Sequence, residues 1–139
     1  MRAALLIATA LTAAACTSQA QMDEQPVQRV THFSENYQKI YANLNKGARN
    51  CYEVASISDV DAQLFSELGY GEISAAVTGG FTHQPIMNAK ISRDGSGAVM
   101  EAKTAEARGR EGTLNWVEYW ARGGLTCPKL HVGEKPPAI

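Results

Sequence analysis

The sequence predicts an α+β domain: a two-layer sandwich whose antiparallel meander of three or four strands is flanked in sequence by an N-terminal and a C-terminal helix. Three observations carry this expectation. A helical period runs from Tyr37 to Tyr52, a two-residue period follows it, and a second helical stripe begins near Thr113. Each has a physical reading.

In the first stretch Tyr37, Ile40, Tyr41, Leu44, Ala48, Cys51 and Tyr52 recur at three- and four-residue steps. At 3.6 residues per turn they share an arc of roughly 120°, with Lys39, Asn43, Lys46 and Asn50 opposite. Ser34 is the expected N-cap, and Glu35 suits the positive end of the helix dipole. Gly47 weakens the helix locally without breaking the stripe.

The period then falls to two. Ile73, Ala75 and Val77 alternate with Glu72, Ser74 and Ala76, and Met87, Ala89 and Ile91 alternate with Asn88, Lys90 and Ser92. Pro85 belongs at a strand entrance, where no ladder donor is needed. Arg93 to Gly97 reads as a turn, and Ala98 to Lys103 as the next strand. Val60 to Phe65 is either an earlier strand or a short helix. Short connections favour antiparallel pairing. In the second helix Leu114, Val117, Trp120 and Ala121 mark the apolar side, and Gly123-Gly124 stops it. With Trp116 the arc widens to about 160°, and Tyr119 lies beyond it, broad for a helix resting on a sheet. Trp116 and Tyr119 are therefore either a candidate partner contact or, the favoured reading, ordinary core covered by the tail or by the loop at residues 104–112.

Ahead of the domain, Arg2 precedes 13 uncharged residues, Ala3 to Ala15. That run is too short to span a bilayer and suits the apolar region of a signal peptide, assigned here to residues 1–15. Two cleavage sites compete. Ala13-Ala14-Ala15-Cys16 resembles a lipobox, with Ala13 where leucine is usual, and makes Cys16 the lipidation site. Ser18-Gln19-Ala20 fits ordinary signal peptidase and a soluble periplasmic product. Residues 16–32 are polar and read as a tether reaching about 20–25 Å. Residues 33–127 then form the single domain, and 128–139 a loose tail. Three cysteines are present. Acylation or removal of Cys16 leaves Cys51 and Cys127 to pair, which an oxidising envelope permits.

Chemistry is harder to find. Net charge is −1, which excludes a phosphate-backbone reader. His32, His83 and His131 lack partners at metal-ligand spacing, and Asp59-Val60-Asp61 lacks the remainder of a calcium loop. No nucleophile elbow occurs, and Arg108 to Gly112 lacks the Lys-Ser/Thr end of a phosphate loop. No cofactor or metal is expected.

Tyr37-Gln38-Lys39-Ile40-Tyr41 with Gly47 to Tyr52, Leu68 to Ile73, and Trp120 to Gly124 with Cys127 resemble segments of small uncharacterised proteobacterial envelope lipoproteins. The resemblance covers most of residues 33–127 and implies a lipid-anchored envelope protein with a paired cysteine. Thr17 after the modified cysteine resembles the pattern of outer-membrane lipoproteins facing the periplasm. The expectation is a non-enzymatic binding or structural module, held to the membrane by its anchor and engaging an envelope protein. A carrier of a small apolar ligand is the alternative, and an unrecognised hydrolase a third reading.

Overall fold

The structure, a computed structural model, describes residues 18–53, 58–79, 82–105, 109–129 and 134–139. The signal region, Cys16, His131 and Arg108 lie outside them. The element order is α1 (Gln19–Glu24), β1 (Arg29–Phe33), α2 (Tyr37–Tyr52), β2 (Ser58–Phe65), β3 (Tyr70–Gly79), β4 (Thr82–Asp94), β5 (Gly97–Thr104) and α3 (Arg110–Ala121). The sheet is antiparallel with order β1-β5-β4-β3-β2. The fold class is the expected one, with five strands rather than three or four. Strands β2 to β5 form the meander. β1 is added at its far side, and α2 carries the chain from one edge strand to the other.

Helices α2 and α3 cover one face. Ile40, Leu44, Ile73, Met87, Ile91, Met100, Leu114, Val117 and Trp120 are fully buried between helices and sheet. Burying each such side chain contributes about 1.5–3 kcal/mol. The helices approach closely because α2 carries Gly47 at the crossing. A Cβ there would lie 2.5 Å from Cβ of Trp120. Asn43 Nδ2 donates to the carbonyl of Ala121 at 3.2 Å beside this contact. Gly97 permits a second close approach: an added Cβ would lie 2.2 Å from the carbonyl oxygen of Phe33.

Local chemistry corrects several expected boundaries. The cap of α2 is Asn36, whose side chain accepts from the backbone N–H of Gln38 and Lys39. Ser34 Oγ instead donates to Glu35 at 3.1 Å. The Glu35 carboxyl is held below its ordinary range, first by a backbone hydrogen bond and then by Ser34. α3 starts at Arg110, earlier than expected, after Gly109 turns the chain at φ 80°. Pro85 sits inside β4, not at its entrance. The ladder pairs Ala75 with Met87 and Ala76 with Pro85, leaving Ile86 as the extra residue of a bulge. A bulge tolerates a residue with no N–H to donate. Val60 to Phe65 belongs to a strand, and Asp59 and Asp61 lie in it.

The largest correction concerns residues 16–32. Where a tether was expected, Gln19–Glu24 is helical and Arg29–Phe33 pairs with β5. The reason is specific. Ser18 and Gln21 form a reciprocal capping box, and Met22 is completely buried. Arg29 donates to Asn115 Oδ1 at 2.7 Å and Glu111 Oε2 at 2.6 Å, fastening β1 to α3. The tail is also not loose throughout. Trp116 Nε1 donates to the carbonyl of Glu134 at 3.0 Å, and the Lys129 N–H donates to the Glu134 carboxylate at 2.6 Å.

Candidate functional site

With both long helices on one face, the other face of the sheet carries only the short α1 among the described residues. The register assembles its side chains into rows. Gln63, Glu72, Lys90, Glu101 and Val30 lie side by side across all five strands. Asp61, Ser74, Asn88 and Lys103 form the row on one side of it, and Phe65, Tyr70, Ser92, Val99 and His32 the row on the other. Lys90 Nζ stands 4.6 Å from the centroid of the Tyr70 ring, a cation–π contact at one corner. Phe65 packs against the same ring at 4.9 Å. This is a polar face with an aromatic corner.

α1 covers part of it. The helix rests on β4, and Met22 is 0% exposed yet stands outside the main core cluster. Lys103 Nζ donates to the carbonyls of Asp23 at 2.8 Å and Gln25 at 3.4 Å, close to the C-terminus of α1. A cation there suits the negative end of a helix. Between α1 and the strands lies a cleft of about 360 Å³ lined by Asp23, Val27, Glu72, Asn88, Lys90, Glu101 and Lys103. Its polar groups can orient a ligand or a partner's side chain by hydrogen bonds and charge. The sequence placed Glu72, Ser74, Asn88 and Lys90 on the outward side of their strands. It did not show which of them would be neighbours, because register is not written in a single strand.

A second, shallower groove of about 400 Å³ runs between α3 and the C-terminal residues. Asn115, Glu118, Tyr119 and Arg122 line one wall; Lys135, Pro136, Pro137 and Ile139 line the other. Arg122 is already committed, donating to Glu118 Oε1 at 2.9 Å and lying over the Phe33 ring at 5.2 Å.

The margin of α3 that offered a candidate partner contact is covered. Trp116 and Tyr119 are only 4% and 8% exposed. Glu134 covers Trp116, while Gly124 and Thr126 close over Tyr119, whose hydroxyl donates to Thr126 Oγ1 at 3.1 Å. The wide apolar arc is satisfied within the chain. Trp116→Ala should therefore cost about 3–5 kcal/mol, as a core truncation does. Thermal unfolding would check this, and a change under about 1 kcal/mol would return the residue to the surface.

Cys51 and Cys127 stand at disulfide-bonding distance, with Cα atoms 5.2 Å apart. The histidines do not converge: His32 Nδ1 lies 3.2 Å from Asp94 on the open face, and His83 is exposed on β4. Asp59 accepts from Thr78 Oγ1 at 3.1 Å, a cross-strand bond on the sheet. Among the described residues no group of three His, Cys, Asp or Glu side chains could hold a metal, and no helix is long and apolar enough to cross a membrane. Gly95 and Ser96 form the turn between β4 and β5, and Arg110 to Gly112 the first turn of α3. No protein-family model matches the chain, and no curated protein or solved structure matches it.

Proposed function

We propose that the chain is an envelope lipoprotein, anchored to the outer membrane through Cys16, that binds an envelope protein through the open face of its sheet. The observation that carries this reading is the one-sided architecture. Two helices shield one face, and the other presents cross-strand rows of polar and aromatic side chains. Such a surface, with Tyr70 and Phe65 beside charged groups, suits protein contact, where aromatic residues are enriched. The interior supports this reading over a carrier of apolar ligands. The space that would hold a ligand between helices and sheet is filled by Leu44, Met100 and Trp120.

The helix at residues 19–24 supports lipidation over ordinary cleavage. Processing before Cys16 leaves α1 whole, whereas cutting after Ala20 removes Ser18 and with it the capping box. The mature protein should then carry a diacylglycerol mass increment at Cys16 and partition into detergent. An unmodified N-terminus at Gln21 would contradict the anchor. For the binding face, a photoreactive side chain at Ser74 or Ser92 should crosslink a discrete envelope protein in intact cells. One at Lys46, on the exposed side of α2, should not. Equal capture from both sides would remove the open face as the binding surface.

A further inference from the structure

We propose that α1 is a detachable strap, closing the cleft on the open face when docked and exposing it when released. The inference rests on the open face being the binding surface, but the strap can be tested without knowing the partner.

The attachment is small and separate from the core. α1 spans six residues, and Met22 is its buried residue. That side chain belongs to neither the helix layer nor the main cluster beneath it. The remaining holds among the described residues are Lys103, whose ammonium reaches two carbonyls of the segment, and Gln28 Nε2, which donates to Gln25 Oε1 at 3.0 Å. By contrast, the chain is firmly held from Gln28 onward. Its backbone N–H donates to the Ala102 carbonyl at 3.0 Å, and its side chain exchanges bonds with the Thr104 backbone at 3.1 and 3.0 Å. A short segment hung on one apolar side chain, next to a firmly paired residue, opens before the sheet does. Pro26 and Val27 lie between the two and form the hinge.

Release would change two things together. It uncovers Asn88 and Lys103 and the site that Met22 fills. It also frees the chain between the anchor and Gln28. With α1 docked, its cap at Ser18 follows Cys16 by two positions, an extended reach of about 7 Å. With α1 released, the twelve residues to Gln28 have a root-mean-square reach of about 20 Å. The docked strap thus holds the open face against the membrane, and the released strap lets a partner approach it. One short helix controls both access and distance.

The test uses the full exported chain with a reporter thiol in one of two places. Asn88→Cys lies in the cleft, and Ser92→Cys lies on the same strand and face outside it. With Met22 intact, the Asn88→Cys thiol should react slowly with a maleimide. Adding Met22→Asp should accelerate it roughly ten- to a hundredfold, the equilibrium worth of one buried side chain. Lys103→Ala should accelerate it less, and in detergent, where no membrane shields the face, the Ser92→Cys rate should not respond to either change. Amide hydrogen exchange in β3, β4 and β5 should keep its protection in both backgrounds. The strap is refuted if the Asn88→Cys rate is the same with and without Met22. It is equally refuted if protection across β3 to β5 falls together with that of residues 21–25, because α1 would then be integral to the fold. Failure of the strap leaves crosslinking at Ser74 and Ser92 unaffected, so the two ideas fail separately.

Discussion

Trp120→Ala is expected to lower the stability of the domain by about 3–5 kcal/mol, near the top of the range for core truncations. The residue is 0% exposed and stands where both helices meet. Its ring meets Tyr52 edge-on at 5.4 Å and Trp116 at 6.1 Å, and its Nε1 donates to the Thr126 carbonyl at 3.0 Å. Truncation opens a large void and removes the hydrogen bond to the Thr126 carbonyl, and each carries its own cost. Gly47→Ala tests the same junction from the other side. Helix propensity alone predicts a gain of about 0.8–1 kcal/mol from that change. The close approach of the two helices predicts the opposite sign, a loss of about 1–3 kcal/mol, because the new methyl meets the Trp120 Cβ. Urea denaturation followed by far-UV circular dichroism would decide. A stabilised Gly47→Ala variant would mean that the space between the helices at this crossing admits a methyl group.

Gly47 illustrates what was legible in the sequence and what was not. As a sequence feature it is a flaw in an otherwise regular helical stripe. Only its neighbour across the interface explains it, and that neighbour lies far along the chain. The stripe itself was readable because every third or fourth residue faces the same core. The paired strands were readable where Ile73, Ala75, Met87, Ala89 and Ile91 alternate with polar residues. β1 gave a weaker signal, since Arg29 occupies an inward-facing position normally held by an apolar residue. Its guanidinium is neutralised by Glu111, an ion pair visible only in three dimensions. α1 gave almost none. A helix that buries one methionine in a glutamine-rich segment has no period to detect. The cleft it covers was invisible for the same reason, although the outward positions of Glu72, Asn88 and Lys90 were each readable alone. The wide arc of α3 was readable as a pattern, but what covers it comes from residues 124–126 and 134, which carry no period of their own.

Removing the Cys51–Cys127 link is expected to produce the other large effect. The two positions are 76 apart in sequence, and closing a loop of that length restricts the unfolded chain by about 4–5 kcal/mol on the loop-entropy account. The native side is already well organised. Asn50 Nδ2 donates to the Leu125 carbonyl at 3.0 Å, and Trp120 and Tyr119 both bond Thr126. These bonds hold residues 125–126 in place before any covalent link is made, so the bond need not distort the fold to form. Cys51→Ser combined with Cys127→Ser should therefore lower the melting temperature by more than about 10 °C while leaving the folded structure recognisable. Non-reducing peptide mapping of the native protein should recover the Cys51–Cys127 pair. Two free thiols there would contradict it. An unchanged melting temperature in the double variant would show instead that hydrogen bonds alone fasten residues 125–126 to α2 and α3. In that case the covalent link adds nothing that the bonds of Asn50, Tyr119 and Trp120 do not already supply.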